Sequence, residues 1–376
     1  MADALGAPTI AHGPGGPQPD QGTLLNSILR RRGSAVLKGT AWTGGALIIS
    51  LALCAPLLVA GGANVIDGYA ELFDATFGSF FGFGLMLAAS VPLILIGLGV
   101  AVPFRAGLFN IGGEGQLLMG ALLAVYVTTT SWGGGWGGFV LPLLAGFFGG
   151  AMIGALPGAL KAWRGVNEIV TTIMLSFIVL FFIQWLLTGS LRAEDQTYAA
   201  SAAAAQGFRL ERLAGGNVPV GFIIAVGVAI LVYWLTQHTR VGWRQRLVGL
   251  NLELSTRQGI AVPRQYFFAL VLGGGLAGLG GATELIGNQF RIGPNFSPGW
   301  GFTAVAIALL ARGNMLAVVP VAMFFGLLQN GESSLQANLG IPGNLVLALA
   351  AAPVIMAAAL LGYRNYRRAI MEPPDD

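Results

Sequence analysis

The stretch Phe104-Arg-Ala-Gly-Leu-Phe-Asn-Ile-Gly-Gly-Glu-Gly-Gln-Leu-Leu-Met-Gly120 decides the fold, because it places polar residues and glycines between long apolar runs. A carboxylate such as Glu114 costs roughly 2.5–3.5 kcal/mol near the bilayer centre on insertion scales, so it needs a compensating partner. The glycines at 112, 113 and 115 each lower helix propensity by about 1 kcal/mol relative to alanine. Irregular backbone at membrane depth is tolerated only where it is buried in protein or lines a watery cavity. The stretch therefore predicts a broken helix near 107–116 that faces a pathway rather than lipid.

The composition of the chain is that of a polytopic membrane protein. Its 376 residues are 55% apolar and 10% charged, with a mean hydropathy of +0.73, whereas soluble domains carry about 25% charged residues. We therefore expect an all-α bundle of about ten transmembrane helices, each crossing about 30 Å of hydrocarbon. The candidate spans lie near 41–61, 82–103, 107–128, 138–160, 169–188, 219–236, 266–286, 301–311, 315–330 and 344–362.

The placement of the basic residues predicts the orientation of these spans. With the N-terminus in the cytoplasm, the positive-inside rule is obeyed by all of the 20 basic residues except Arg192, Arg209, Arg212 and Arg291. Both termini are therefore expected to be cytoplasmic. Because topology explains most of the net charge of +4, we expect no nucleic-acid partner.

Composition also suggests three regions. Residues 1–37 are expected to form a disordered, basic cytoplasmic tail, because their first part is rich in Gly, Pro and Ala and cannot bury a core. Residues 38–363 form the predicted transmembrane domain, which contains a long cytoplasmic loop at about 237–264. Residues 364–376 form the predicted cytoplasmic C-terminal tail.

A glycine series predicts one close helix contact. Gly146, Gly150, Gly154 and Gly158 recur at every fourth residue, which gives one helix a smooth face against which another backbone can pack. The residues near 273–281 repeat this pattern more weakly, and they are equally compatible with a bend.

The sequence contains no recognisable catalytic motif. Neither of its only lysines, Lys38 and Lys161, lies in a G-x-x-x-x-G-K-[ST] phosphate loop, and no H-E-x-x-H or G-x-S-x-G pattern occurs. The single Cys54 excludes an intrachain disulfide and a C-x-x-C site. We therefore expect a protein that is not an enzyme, with no cofactor and no metal site.

Two acidic residues in apolar surroundings are candidates for function. Glu114 either ties helices together through a hydrogen-bonded carboxyl group or contacts a polar substrate or a gate. Asn110, four residues earlier, shares its face only if the local backbone is helical. Glu284, near the outer end of its span, is expected to be a snorkelling or helix-terminal group.

Two further segments combine polar residues with the ends of spans. Asn167 is suited to cap the following helix, with Glu168 at its positive end, and Thr171 enters the span. This is either an ordinary helix start or part of a pathway. In the loop Arg246–Pro263, the spacing of Leu250, Leu254 and Arg257 predicts a short amphipathic helix, which either lies on the membrane surface or docks a soluble subunit.

At these segments the sequence resembles the permease subunits of ATP-binding-cassette (ABC) importers for branched-chain amino acids, ribose-type sugars and nucleosides, and it is most similar to the nucleoside branch. The resemblance covers about residues 80–345. It is carried by Gly107-Leu-Phe-Asn-Ile-Gly-Gly-Glu-Gly-Gln116, Gly165-Val-Asn-Glu-Ile-Val-Thr-Thr-Ile-Met-Leu175, Gly249-Leu-Asn-Leu-Glu-Leu-Ser-Thr-Arg-Gln-Gly-Ile260 and Gly299-Trp-Gly-Phe-Thr-Ala-Val-Ala-Ile-Ala-Leu-Leu310.

The resemblance implies a loop that couples the permease to its ATPase. The family pattern G-x-N-x-x-A-A-x-x-x-G-I is matched here except at Leu254 and Ser255, which replace the usual alanine pair. The implied coupling residues are Gly249, Asn251, Glu253, Arg257, Gly259 and Ile260.

The resemblance also implies an assembly in the bacterial cytoplasmic (inner) membrane. Its partners would be two ABC ATPase subunits, a second permease subunit in a dimer that is often heteromeric, and an extracytoplasmic substrate-binding protein. The expected function is import by alternating access of nucleosides, simple sugars or, third, branched-chain amino acids. The expected translocation path involves Asn110, Glu114, Gln116, Asn167, Glu168 and Thr171. The rival readings are a self-sufficient secondary transporter or channel and a membrane scaffold.

Overall fold

The computed structural model describes residues 64–130, 138–194, 196–213 and 218–341, together with isolated positions between 44 and 62. The described residues from 45 onwards belong to one compact unit. The helices of its first half are α1 (Val65–Phe77), α2 (Phe80–Arg105), α3 (Gly113–Thr130), α4 (Val140–Arg164) and α5 (Glu168–Thr188).

The second half contains longer connections between the helices. A 3₁₀ turn (Gln206–Phe208) and a two-stranded antiparallel hairpin, β1 (Arg212–Leu213) with β2 (Val218–Pro219), follow α5. The later helices are α6 (Val220–His238), α7 (Arg240–Leu250), α8 (Leu252–Arg257), α9 (Val262–Glu284), α10 (Trp300–Leu310) and α11 (Val318–Leu339), and a π-helical turn (Leu285–Gln289) extends α9.

Two helices form the centre of the bundle. α2 and α9 are almost wholly buried inside the protein, and they pack against each other and against most other helices. Neither helix has a polar face, so each can be surrounded on all sides. By contrast, α5 and α6 bury only a minor part of their surface and place apolar side chains on the outside.

The predicted glycine face is confirmed. A Cβ atom added at Gly150 would overlap the carbonyl oxygen of Gly274, and one added at Gly278 would overlap that of Gly146. The two backbones of α4 and α9 therefore touch directly, and this is the most extensive helix contact in the described part of the chain. The weaker glycine pattern is the other half of the same contact.

The structure confirms a polytopic helical bundle. Five described helices, α2, α4, α5, α6 and α9 with its extension, are long and apolar enough to cross a membrane, and α10 is a shorter apolar helix. The predicted spans 107–128 and 315–330 correspond to α3 and α11. The span 344–362 and both predicted tails lie outside the described residues, and the span 41–61 is described only at isolated positions. The count of ten spans therefore stays a prediction.

Candidate functional site

The predicted break in the helix lies between α2 and α3, over residues 106–112. Asn110 is not helical, so it does not share a helix face with Glu114. Its side chain instead forms a reciprocal pair with Gln116, in which each amide nitrogen donates to the other's oxygen at 2.9 and 3.1 Å. Asn110 also donates to the carbonyl of Gly99 at 3.2 Å and accepts from the N–H of Gly112 at 3.1 Å. With side chains 0% and 1% exposed, Asn110 and Gln116 fix the shape of the break.

Glu114 lies in the first turn of α3, where its carboxylate reaches the start of α10. Its Oε2 accepts a 2.7 Å hydrogen bond from the N–H of Gly301, and the Ser297 side chain and the N–H of Gly299 also hydrogen-bond to the carboxyl group. The first N–H groups of a helix are unsatisfied and carry partial positive charge. The buried carboxylate is therefore compensated by the N-termini of two helices.

Gly301 makes this approach possible. A Cβ at this position would overlap the backbone nitrogen of Glu114, so a larger residue would separate the two helix ends. Gly299, with φ of 87°, turns the chain into α10. The sequence motifs around Gly299 and Glu114 therefore meet at one site, although Glu114 and Gly301 are 187 residues apart in the chain.

The start of α5 packs against the same break. The Ser176 hydroxyl accepts a 3.2 Å hydrogen bond from the N–H of Gly115, and a Cβ on Gly112 would contact Thr172 at 3.0 Å. Ser176 is not predicted from the sequence. A single hydroxyl in an apolar span gives little signal without knowledge of the helix that it faces.

The three predicted residues at the start of α5 have different surroundings. Asn167 caps the helix by accepting from the N–H of Ile169 at 2.9 Å, and its side chain is exposed. Glu168 is buried and forms a 2.8 Å ion pair with Lys161, which closes the turn from α4. Thr171 is half-buried and donates to the carbonyl groups of Asn167 and Glu168. The sequence-based assignment of a helix start therefore holds.

The opposite face of α5 is apolar and exposed in the isolated chain. Its buried stripe of Thr172, Ser176, Val179, Ile183 and Leu187 contrasts with an exposed stripe. The exposed stripe consists of Val170, Met174, Phe177, Ile178, Phe181, Phe182 and Trp185. This face is available to lipid or to another subunit.

The predicted coupling loop folds as two short helices rather than one. Asn251 ends α7 and caps α8, because its Oδ1 accepts from the N–H of Leu254 at 2.9 Å. The expected single helix through Leu250 and Leu254 is therefore wrong, since the extended backbone of Asn251 separates these residues. Leu250, Leu252 and Leu254 are all exposed, so the loop presents an apolar surface outside the spans.

The end of the loop is ordered by local bonds. Glu253 and Arg257 form an exposed i,i+4 ion pair at 2.6 Å. Gly259 adopts a φ of 72° and Ile260 donates to the carbonyl of Ser255, so the chain reverses after α8. Gly259 thus ends the helix, as its position predicts.

Gly249 connects this loop to the break. A Cβ at Gly249 would overlap the carbonyl oxygen of Arg105, the last residue of α2, and a Cβ at Gly107 would lie 3.4 Å from the Cα of Gly249. Gly107 has a φ of 80°. The loop therefore touches the backbone at the point where α2 ends and the break begins, a contact that the sequence alone does not reveal.

The structure contradicts the expectation that Glu284 snorkels to the membrane surface. Its side chain is buried, not snorkelling, and its Oε1 accepts from Asn288 at 2.9 Å and from Gln289 at 3.1 Å within the π-helical turn. Its position at the end of α9 agrees with the helix-terminal alternative. Elsewhere in the described residues, no group of three or more His, Cys, Asp or Glu side chains is arranged to hold a metal ion.

The long apolar helices are those of a multi-pass membrane protein. Over residues 82–361, the chain matches the family described as the permease component of the branched-chain amino acid transport system, and it belongs to that family.

Three relatives match most of the chain. The glucose ABC transporter permease protein TsgB13 of Haloferax volcanii is 34% identical over 85% of this chain and 87% of its own length. The guanosine ABC transporter permease protein NupP of Bacillus subtilis is 31% identical, over 85% and 93%. The nucleoside ABC transporter permease protein NupB of Lactococcus lactis is 32% identical, over 83% and 89%. The family confirms a role in transport.

Proposed function

We propose that this chain is the membrane-spanning subunit of an ATP-driven importer that carries nucleosides or simple sugars across the bacterial cytoplasmic membrane. The family match and the relatives named for guanosine, nucleosides and glucose support this proposal. Branched-chain amino acids rank third, because they occur in the description of the family but not in the names of these three relatives. Both termini and the loop 237–264 lie in the cytoplasm in this proposal.

The observation that carries the mechanism is the contact of Gly249 with the end of α2. A soluble ATPase subunit docks on the exposed leucines around Asn251. When the ATPases close, they displace α7 and α8, and the backbone contact passes this displacement to residues 105–107. The coupling residues are those of the loop from Gly249 to Ile260, with Asn251, Glu253, Arg257 and Gly259 keeping α8 folded and in place.

The translocation path runs along the axis between this chain and a second permease subunit, which forms a heterodimer with it. The start of α5, with Asn167 and Thr171, borders the path directly, because these side chains are exposed or half-buried. Asn110, Glu114, Gln116 and Glu168 lie one layer behind. They act by holding α5 and the break together, so that a movement of the break changes the position of the exposed face of α5.

A secondary transporter is the rival function, and it would use Glu114 or Glu284 as a proton-linked carboxylate. The geometry favours the importer instead. Both carboxyl groups already accept hydrogen bonds from fixed donors in the protein. A proton-coupled carboxyl group must instead gain and lose a proton in each transport cycle.

Reconstitution tests the proposed function. The chain is placed in vesicles alone, and then with the co-purifying ATPase, a second permease subunit and a substrate-binding protein. We expect uptake of guanosine or glucose only in the full assembly and only with ATP. Uptake by the chain alone down a proton gradient would show a secondary transporter. In cells, uptake of every candidate solute that is unchanged by both Glu114→Ala and Asn251→Ala would indicate a scaffold.

A further inference from the structure

We propose that a cleft between α7 and the start of α9 binds the phosphate headgroup of an anionic phospholipid. The cleft has a volume of about 330 Å³ and is lined by Trp243, Arg244, Gln258, Arg264 and Gln265, among others. We call it the arginine cleft. It lies where two spanning helices end, because α6 stops at His238 and α9 begins at Val262.

The charge of the arginine cleft suits an anion. Arg244 and Arg264 come from different helices, both are exposed, and neither forms an ion pair with another described residue. Residues 237–264 contain five arginines and one glutamate, and that glutamate, Glu253, already pairs with Arg257. Guanidinium groups bind phosphate with two parallel hydrogen bonds, so two of them from different helices in one cleft suit a phosphate group.

The aromatic residues place the arginine cleft at headgroup depth. Tryptophan is enriched at membrane–water interfaces, where its amphipathic ring is most stable. Trp243 in the cleft lining is 56% exposed. Trp163 at the end of α4 is 64% exposed, and its ring centroid lies 5.3 Å from that of Phe267. Phe268 is also exposed, one turn of α9 after Arg264. A headgroup in the cleft thus has apolar surface nearby for its acyl chains.

Neutral donors complete the lining. The amides of Gln258 and Gln265 line the same cleft, as does Gly259. A Cβ on Gly259 would meet nothing within 4 Å, so the wall is open at this residue. The exposed Leu250, Leu252 and Leu254 do not line the cleft, whereas Gly259 and Ile260 of the coupling loop do, so the lipid site adjoins the proposed docking surface without using its leucines.

The test is retention of phosphatidylglycerol by the purified full-length chain. Protein in nanodiscs that contain equal amounts of phosphatidylcholine and phosphatidylglycerol is extracted, and bound lipids are counted by native mass spectrometry. We compare the double variant Arg244→Gln/Arg264→Gln with Arg240→Gln/Arg246→Gln, which removes two charges from the same segment outside the cleft lining. Because each arginine near a lipid surface contributes about fivefold in affinity, we expect the cleft variant to lose phosphatidylglycerol by roughly 10- to 30-fold.

Each outcome decides the proposal. Equal retention in both double variants would overturn it, and so would a cleft variant that keeps the lipid but releases the ATPase, because the occupant would then be a protein. Complete displacement of phosphatidylglycerol by 10 mM inorganic phosphate would identify free phosphate as the ligand instead. If the double variant does not fold, the exposed single change Arg264→Gln supplies the same comparison. The readout requires no transport, so it is independent of the proposed function.

Discussion

The carboxylate of Glu114 and the N–H of Gly301 form a 2.7 Å hydrogen bond that joins the first turns of α3 and α10. The starts of two helices therefore meet at one buried carboxyl group. The carboxyl group satisfies an N–H at the start of α10, and it lies in the first turn of α3, whose positive end favours an acidic residue.

Replacement of Glu114 tests this arrangement. Glu114→Gln keeps an acceptor oxygen for Gly301, so we expect a folded, assembled protein with altered transport. Glu114→Ala leaves the donors of Gly301, Ser297 and Gly299 without their acceptor, and we expect a loss of about 1–3 kcal/mol in stability. Thermal unfolding in detergent measures the difference, with the exposed Glu194→Ala as the control. Equal unfolding temperatures for Glu114→Ala and Glu194→Ala would contradict the structural part of this role.

The contact between α4 and α9 makes a second prediction. Gly278→Leu places a side chain against the backbone of Gly146 and Gly150, and overpacking of this kind typically costs 1–3 kcal/mol or more. We expect little folded protein after size-exclusion chromatography. The matched change Gly227→Leu on α6 points into open space and should leave the yield unchanged. A normal yield for Gly278→Leu would mean that these helices do not pack as described.

Substitutions of Asn251 test the cap of α8 separately from bulk at the proposed docking surface. Asn251→Asp keeps a good capping group, whereas Asn251→Ala removes a cap worth about 1 kcal/mol. Asn251→Arg also adds bulk at the proposed docking surface. We expect the ATPase to co-purify with the wild type and with Asn251→Asp, less with Asn251→Ala, and not at all with Asn251→Arg or after deletion of Gly249 to Gly259. Undiminished co-purification in the last two cases would argue against docking at this loop.

A substitution at Gly249 distinguishes binding of the ATPase from transmission of its movement to the end of α2. Gly249→Val must move α7 away from the Arg105 carbonyl but leaves the leucines of α8 unchanged. We therefore expect the ATPase to remain bound while transport in vesicles falls strongly. Val241→Ala, at an exposed position of the same helix outside the docking surface, is the control for local disturbance of the helix. Normal transport by Gly249→Val would show that the contact does not carry the movement.

The hydrogen-bonded amide pair of Asn110 and Gln116 provides a test of the break. Gln116→Leu leaves the Asn110 amide with fewer partners inside the protein, and one lost buried hydrogen bond with an unsatisfied group costs about 1–3 kcal/mol. We expect lower thermal stability than in Gln184→Leu, which changes an exposed glutamine of α5. The two variants would unfold at the same temperature if the pair were unimportant.

Sequence patterns predict the structural features that depend on residues close together in the chain. The apolar runs predicted the spans, the glycines near 112 predicted the break, and Asn167 and Gly259 predicted a helix start and a helix end. These features depend on neighbours within a few residues. The structure shows the break, the helix start and the helix end, and it shows the spans that lie within the described residues. The series from Gly146 to Gly158 belongs to the same group, because a repeat of four defines one helix face.

Local sequence patterns do not predict contacts between segments that are distant in the chain. The partner of Glu114 lies 187 residues away, and the contacts of Ser176 and Gly249 depend on how helices cross. The depth of Glu284 was misjudged because distance from the end of a span does not reveal that the following π-helical turn folds over the carboxylate. The sequence does not predict the division of the coupling loop at Asn251. An asparagine can cap a new helix or bond to the backbone nearby, so its presence alone does not mark a helix boundary.

The crossing of α3 and α5 restricts how this chain can vary. A Cβ on Gly115 would lie 2.6 Å from the Cα of Ser176, so even alanine at position 115 would force the two helices apart. Evolution toward a different cargo can therefore change the exposed side chains of α5. At the crossing behind them, by contrast, position 115 must remain glycine for the two helices to pack this closely.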